Sequence, residues 1–289
     1  MPRHLTEEIP TLAVVGAGFS GTMVTAQLLR RHYSRPCRVV LINRSGPMAR
    51  GVAYGTRSSH HVLNVPAGRM SAFPEDGDHF LRFARTQDPG ANGGTFVARR
   101  IYGDYLAHTL AESAAAAGTA LLERIADEVV DIELADRGGT LRLRGGRTIH
   151  ADGIVLALGN YAPGDLPLAD RSFFASSLYV RDPWAPGALA DIPVDRPVLL
   201  IGTGLTALDV SLELAARRRR APITIVSRRG LIPMAHRGHG SPPSYTHMPP
   251  GLVACEPMAV EYLKAIREHI AILAKSGVDD VRIEFVTTD

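Results

Sequence analysis

Three glycines in the run "LAVVGAGFSG", Gly16, Gly18 and Gly21, stand at the spacing that brings backbone N–H groups against a pyrophosphate. The first permits a tight strand-to-helix turn, the second removes a side chain where phosphate approaches, and the third lets the helix pack on its strand. The start of that helix then offers amide donors to the anion. A second run, "IGTGLTALD", repeats the device with Gly202, Gly204 and Ala207, alanine being small enough for the same packing. The chemistry implied by each is dinucleotide binding.

What separates one dinucleotide from another is the end of the strand that follows. After the first set, "CRVVLINRSG" ends in Asn43 and Arg44, where a carboxylate would accept the ribose hydroxyls. Asn43 can still hydrogen-bond ribose, more weakly as a neutral group. After the second set, "APITIVSRRG" ends in Ser227, Arg228 and Arg229. Guanidinium groups suit a 2′-phosphate, so NADPH is expected there in preference to NADH, with solvated surface arginines as the alternative. Two nicotinamides in one catalyst are rare, whereas a flavin reduced by NADPH needs one cradle for each. FAD is therefore expected at Gly16 to Gly21, with Phe19 and Ser20 between the glycines. NADPH is expected at Gly202 to Ala207, with Leu205 and Thr206.

The elements that must position these cradles are legible in the hydrophobic pattern. Residues 11–42 read as strand, turn, amphipathic helix and strand, a βαβ unit. Residues 45–100 are rich in Gly, Pro, Ser, His and Arg, with one helix-like piece at "GDHFLRFART". A loop region of that length inside a domain is usually functional. A helix is predicted at "YGDYLAHTLAESAAAAG". Successive strands are predicted at "ALLERIADEVVDIELAD", "GTLRLRGG" and "RTIHADGIVLALG". The last ends in Gly159 and Asn160 and is expected to return the chain to the flavin. The βαβ pattern restarts at "PVLLIGTGLTALDVSLELAARRRR". A Pro/His/Gly loop, an amphipathic helix at "PMAVEYLKAIREHIAILAKSG" and a final apolar segment, "VRIEFVTTD", follow. The expected fold class is α/β with two Rossmann-like (βαβ) dinucleotide-binding domains. These are an FAD domain over 1–165, a linker over 166–189 and an NADPH domain over 190–289.

Composition narrows the field. A formal net charge of +3 comes from scattered arginines, so nucleic acid is not an expected partner. Two cysteines, Cys37 and Cys255, give neither a disulfide framework nor a zinc spacing, which fits a reducing, cytoplasmic setting without a metal. The N-terminal apolar run is short and ends in glycines, so it reads as a strand rather than a signal sequence. No apolar run is long enough to span a membrane.

A resemblance sharpens the reading. The segments "VVGAGFSGTMVTAQLLRR", "RGVAYGTRSSHHVLNVPAGRMSAFPEDGDHFLRF", "VARRIYGDYL", "IVLALGNYAPG", "DPW", "LLIGTGLTALDVSLEL" and "TIVSRRGLIPMAH" occur in that order. Together they resemble the FAD/NAD(P)-binding family that includes flavin-dependent urate hydroxylases and aspartate N-hydroxylating monooxygenases. They are similar, more distantly, to lysine and ornithine N-hydroxylases. The resemblance implies that Gly16, Gly18, Ser20 and Gly21 hold the FAD pyrophosphate, and that Asn64, Val65, Pro66, Arg69 and Met70 lie beside the isoalloxazine ring. It implies a monooxygenase in which NADPH, held by Gly202, Gly204 and Arg228, reduces the flavin, which then uses O₂ on a small polar substrate. Members of that family continue past residue 289 and return to complete the flavin domain, so residues 190–289 are expected to lack that return segment. The alternatives are a flavin-linked NADPH reductase or oxidase without oxygen transfer, and a non-catalytic or truncated dinucleotide-binding protein.

Other signals read more plainly. His236, His239 and His247 crowd one loop without a carboxylate or cysteine, which suits a place near the nicotinamide better than a metal site. His60 and His61 are expected to be locally exposed. Arg217 to Arg220 end a predicted helix, where solvated cations complement the helix dipole. Arg99 and Arg100 resemble a family position near flavin or substrate, with a plain surface role as the alternative.

Overall fold

The computed structural model describes residues 9–44, 47–233 and 258–275. The chain divides into two compact units, residues 1–241 and 242–289.

In the first unit, β1 (Thr11–Val15), α1 (Phe19–Arg30) and β2 (Cys37–Asn43) form the predicted βαβ unit, in parallel register from Thr11↔Arg38 to Val15↔Ile42. Short α2 (Gly51–Tyr54), α3 (His79–Gln87) and long α4 (Arg99–Ala115) follow. The chain then enters β3 (Ala120–Ala126), β4 (Val129–Leu134), β5 (Gly139–Leu143), β6 (Thr148–Ala151) and β7 (Gly153–Leu156). The main sheet has the order β3-β2-β1-β7, parallel throughout. Parallel sheets need cover on both faces. Here α1 and α4 cover one face, burying Val14, Val39 and Leu41 with Leu29, Leu106 and Leu110. The antiparallel sheet β4-β5-β6 covers the other, where Leu141, Leu143 and Ile149 meet Ala13, Val40 and Ile42.

Two stretches expected as single strands each supply two. "ALLERIADEVVDIELAD" breaks at Asp127, whose carboxylate accepts the N–H of Glu128 and of Gly145, so its halves join different sheets. The strand ending in "IVLALG" breaks at Asp152, whose Oδ2 accepts the Thr11 N–H at 2.8 Å and docks the start of β7 beside β1. Between the sheet and the long loop, Tyr102, Tyr105 and Phe80 form a buried aromatic layer on α4 and α3. Gly103 stands within α4 because a Cβ there would lie 2.5 Å from the carbonyl oxygen of Tyr54.

The second βαβ repeat comprises β8 (Val198–Ile201), α5 (Leu205–Ala216) and β9 (Ile223–Val226), with β8 and β9 parallel. Among the described residues its sheet has two strands, and Leu199 and Ile201 on β8 are each 61% exposed. The connection from β7 to β8 contains a 3₁₀ turn at Ser172–Ala175 and is pinned by side chains. Asp165 pairs with both Arg171 and Arg181. Arg217 donates to the carbonyls of Leu189 and Ala190, and Arg219 to that of Arg196. The arginine run at the end of α5, expected as a solvated cap, thus includes two side chains that tie down this connection.

In the second unit the predicted amphipathic helix is present as α6 (Ala259–Lys275). The Pro/His/Gly loop with His236, His239 and His247, Cys255, and the segment "VRIEFVTTD" lie outside the described residues. Among the described residues no helix is long and apolar enough to cross a membrane.

Candidate functional site

The first cradle is built by backbone packing. Gly16 adopts φ +101° and donates its N–H to the Ile42 carbonyl at 2.8 Å. A Cβ at Gly16 would come within 2.2 Å of the Ala157 carbonyl oxygen, and one at Gly21 within 1.8 Å of the Gly16 oxygen. Gly18 is the N-cap of α1, with extended backbone and no side-chain cap, so the opening turn of the helix keeps donors free for an anion.

Asn43, at the end of β2, accepts the Ala17 N–H through Oδ1 at 3.2 Å and donates from Nδ2 to the Pro47 carbonyl at 3.1 Å. Its amide therefore joins the strand end to the turn itself. From there the chain folds over the cradle. Ala49 donates its N–H to the Ala17 oxygen at 2.9 Å, and Gly51, at φ +59°, sits so close that a Cβ on it would lie 3.0 Å from Gly18 Cα. Phe19 and Ser20 are exposed, Phe19 stacking near Tyr102 at 6.2 Å between ring centroids. Arg44 is exposed beyond β2, while Gly159 and Asn160 are exposed just past β7, whose extension donates the Ala157 N–H to the Val15 oxygen.

The loop carrying Asn64, Val65, Pro66, Arg69 and Met70 has a regular base. Leu63 donates to Val97, Ala67 to Thr95, Gly68 to Gly93, and Arg99 to His61, a backbone ladder along one side of the loop. Gly68 is required there, since a Cβ would lie 2.9 Å from both the Cα and the oxygen of Gly93. Ala67 to Arg69 form a 3₁₀ turn. Past it, Ala72 donates its N–H to the Tyr105 hydroxyl, which also meets His79 Nδ1 at 2.8 Å, fixing the loop's far end to α4 and α3. Asn64 and Arg69 are exposed, while Val65, Pro66 and Met70 are half-buried.

The second cradle has a different character. Gly202 adopts φ +110° and donates to the Val226 oxygen at 2.7 Å, repeating the geometry of Gly16. Apart from the adjoining residues, no described atom lies within 4 Å of a Cβ built on Gly202 or Gly204. Leu205 and Thr206 open α5 and are exposed, and Ala207 donates to the Gly204 oxygen. An open cleft of about 280 Å³ is lined by Thr203, Ser227, Arg228, Arg229 and Leu231. Ser227 Oγ accepts the Gly230 N–H at 3.0 Å and shapes the turn that presents the two arginines. Among the described residues no carboxylate pairs with Arg228 or Arg229.

Between the cradles lies a buried polar group that sequence reasoning missed. Asp209 on α5 is 6% exposed, and its Oδ2 lies 3.0 Å from Arg99 Nη2. Burial pushes its carboxyl above the usual carboxylate range, with Arg99 and His61 pulling the other way. His61 is 4% exposed, which corrects the expectation of an exposed histidine; His60 is exposed as expected. His61 Nδ1 meets the Thr56 hydroxyl at 2.7 Å, and Nε2 meets the Asp209 carbonyl oxygen at 3.2 Å. Thr56 donating to Nδ1 and Nε2–H donating to Asp209 is the tautomer that satisfies both. Trp184 packs edge-on against the His61 ring at 5.2 Å. Arg99 is thus no plain surface arginine. The available signal was an aspartate in the interior of the helical run "LTALDVSLEL", flanked by Leu208 and Val210.

Residues 13–161 match the family described as FAD-NAD(P)-binding. No curated protein matches the sequence. Among solved structures, cyclohexanone monooxygenase from Rhodococcus sp. Phi1 bound to NADP+ is similar at 19% identity and a TM-score of 0.51, covering 93% of this chain and 44% of that one. OTEMO complexed with FAD and NADP matches at 16% identity and a TM-score of 0.50, covering 76% and 39% respectively. Lysine monooxygenase NbtG from Nocardia farcinica matches at 19% identity and a TM-score of 0.46, covering 76% and 57%. The chain therefore spans less than two thirds of the length of each, and its likeness to the first two is one of fold.

Proposed function

The chain belongs to the FAD-NAD(P)-binding family, and from that premise we propose that it is a flavin-dependent oxidoreductase with FAD at the first cradle and NADPH at the second. The observation that carries this reading is the pairing, in one chain, of a cradle closed from behind by backbone packing with an open one flanked by Arg228 and Arg229. The residues fit the groups. Gly18 and Gly51 face each other without side chains, leaving the N-terminus of α1 approachable by a pyrophosphate. Gly204 leaves the start of α5 similarly bare, and Arg228 and Arg229 line the cleft after β9, the charges a 2′-phosphate calls for.

In this reading Gly16, Gly18, Ser20 and Gly21 hold the FAD pyrophosphate, and Asn64, Val65, Pro66, Arg69 and Met70 line the ring. Gly202, Gly204, Leu205, Thr206 and Ala207 cradle NADPH, with Ser227 shaping the turn of the arginine pair. FAD, when bound, supplies a two-electron acceptor that can pass its electrons to O₂. The protein's part is to hold the two dinucleotides in register and to exclude water around the ring. The finer reading, carried by the sequence resemblance, is monooxygenation of a small polar substrate.

Absorbance after FAD loading, followed by NADPH oxidation with and without candidate purines and free amino acids, tests both levels. A yellow protein whose NADPH oxidation rises with substrate, giving a product one oxygen heavier, is the expected result. A chain that cannot be loaded with FAD overturns the proposal. NADPH oxidation that yields only hydrogen peroxide with every substrate replaces the monooxygenase with an oxidase.

A further inference from the structure

Asp209 is an expensive residue for a helix interior. A buried carboxylate needs a partner of opposite charge and further hydrogen bonds, and replacing such a group by an apolar one is often stabilising. Its retention at 6% exposure therefore invites a reason beyond adhesion. That reason lies in what its partners also hold.

Arg99, whose Nη2 reaches Asp209, spends its Nε on the Val62 carbonyl at 2.9 Å and its backbone N–H on the His61 carbonyl at 2.8 Å. His61 in turn contacts the backbone of Asp209, and Glu213, one turn further along α5, brings Oε2 to 3.9 Å from His61 Nε2. The two loop residues grasped by Arg99 immediately precede Leu63 and the segment Asn64–Val65–Pro66. On the other side, Asp209 belongs to the helix capped by Gly204. One ion pair thus connects the base of the loop assigned to the flavin ring with the helix that begins the second cradle.

We infer that the Arg99–Asp209 pair, braced by His61, is a positioning element that sets the nicotinamide cradle against the flavin loop, so that the donor and acceptor rings meet at the correct distance. The inference rests on the flavin and NADPH reading above. Asp209 touches neither dinucleotide in this scheme; it acts through Arg99 and the His61–Val62 backbone. A shift of about 1 Å in such a register is enough to slow a transfer step about a hundredfold without abolishing binding.

The test uses the full chain and two readouts. Anaerobic stopped-flow reduction of the FAD-loaded protein by NADPH is expected to show the limiting rate of Asp209→Asn reduced by about tenfold or more, with FAD retention unchanged and Asp209→Glu recovering much of the loss. In the protein without cofactor, hydrogen exchange of the Leu63 and Ala67 amides is expected to quicken in Asp209→Asn and to slow again in Asp209→Glu. If Asp209→Asn does not fold, Arg99→Lys serves instead, since it keeps the charge but drops the Nε bond to Val62. Unchanged exchange in the loop together with an unchanged limiting rate overturns the inference. A wild-type protein that NADPH does not reduce overturns the flavin reading alone, and loop exchange then decides whether the pair couples the two elements.

Discussion

The two cradles share one motif and almost nothing else. In the first, the turn is packed from behind, Gly16 against Ala157 and Gly21 against Gly16, while a Cβ on Gly18 would meet Gly51 only at 3.8 Å. In the second, Gly202 keeps the same positive φ, but no described atom outside the adjoining residues lies near its missing Cβ or that of Gly204. Glycine at Gly16 and Gly21 is therefore demanded by the fold whether or not a ligand binds. At Gly204 the fold makes no such demand, and the approach of a ligand becomes the better explanation. The third position tells the same story, because Ala207 is accommodated where Gly21 could not be replaced. A glycine motif is evidence of binding in proportion to how little packing explains it.

The sharpest break in the comparison is Gly21→Ala. A Cβ 1.8 Å from a backbone oxygen forces α1 off β1, so a loss of about 3 kcal/mol or more is expected in chemical denaturation. A variant that unfolds like wild type would show that the first cradle is as loose as the second. Next in size is the double change Arg228→Ala with Arg229→Ala. It is expected to weaken NADPH by about 1–3 kcal/mol in titration calorimetry while leaving NADH binding and the melting temperature in place. Equal weakening of both dinucleotides would move the 2′-phosphate elsewhere. Gly204→Ala, with extended backbone and open space, is expected to cost under about 1 kcal/mol of stability while reducing dinucleotide affinity. A large stability loss there would erase the contrast.

The smallest expected effects concern two carboxylates that respond to acid in opposite directions. Burial raises the pKa of Glu123, but Arg38 and Arg147 outweigh it and hold the carboxyl below its usual value. Its contribution is present above the unfolded value of about 4.3 and disappears as pH falls through the lower folded value. Asp209 is raised, chiefly by burial, so its ionisation costs stability above its folded pKa. That cost is relieved as pH falls toward the unfolded value of about 3.9. Denaturation curves for Glu123→Gln should therefore lose the acid limb of the pH dependence, and those for Asp209→Asn should lose an opposing one. Parallel changes in the two variants would contradict this pairing of signs.

What the sequence made legible follows from range. The βαβ units, α3, α4 and α6 were readable because their periodicity and glycine turns are local properties of the chain. The breaks at Asp127 and Asp152 were not, because each depends on a carboxylate meeting an amide in another element. Both cradles were readable for the same reason as the helices. The group joining them was not, since His61 and Asp209 lie 148 positions apart and nothing near either residue announces the other. Likewise Arg217 and Arg219 looked like a solvated helix end, and only the fold reveals the carbonyls of Leu189, Ala190 and Arg196 within their reach.

The contact between Gly16 and Ala157 also constrains how the protein is made. β1 and α1 are synthesised well before β7, yet the turn between them is closed from behind by β7, which pairs with β1 only after more than 130 further residues have been added. Such a pairing carries a large loop-closure entropy and forms late. During synthesis the strand β1 must wait with one edge unpaired, an edge open to other chains until β7 arrives. The first cradle is thus begun at Gly16 but finished only when Ala157 closes behind it.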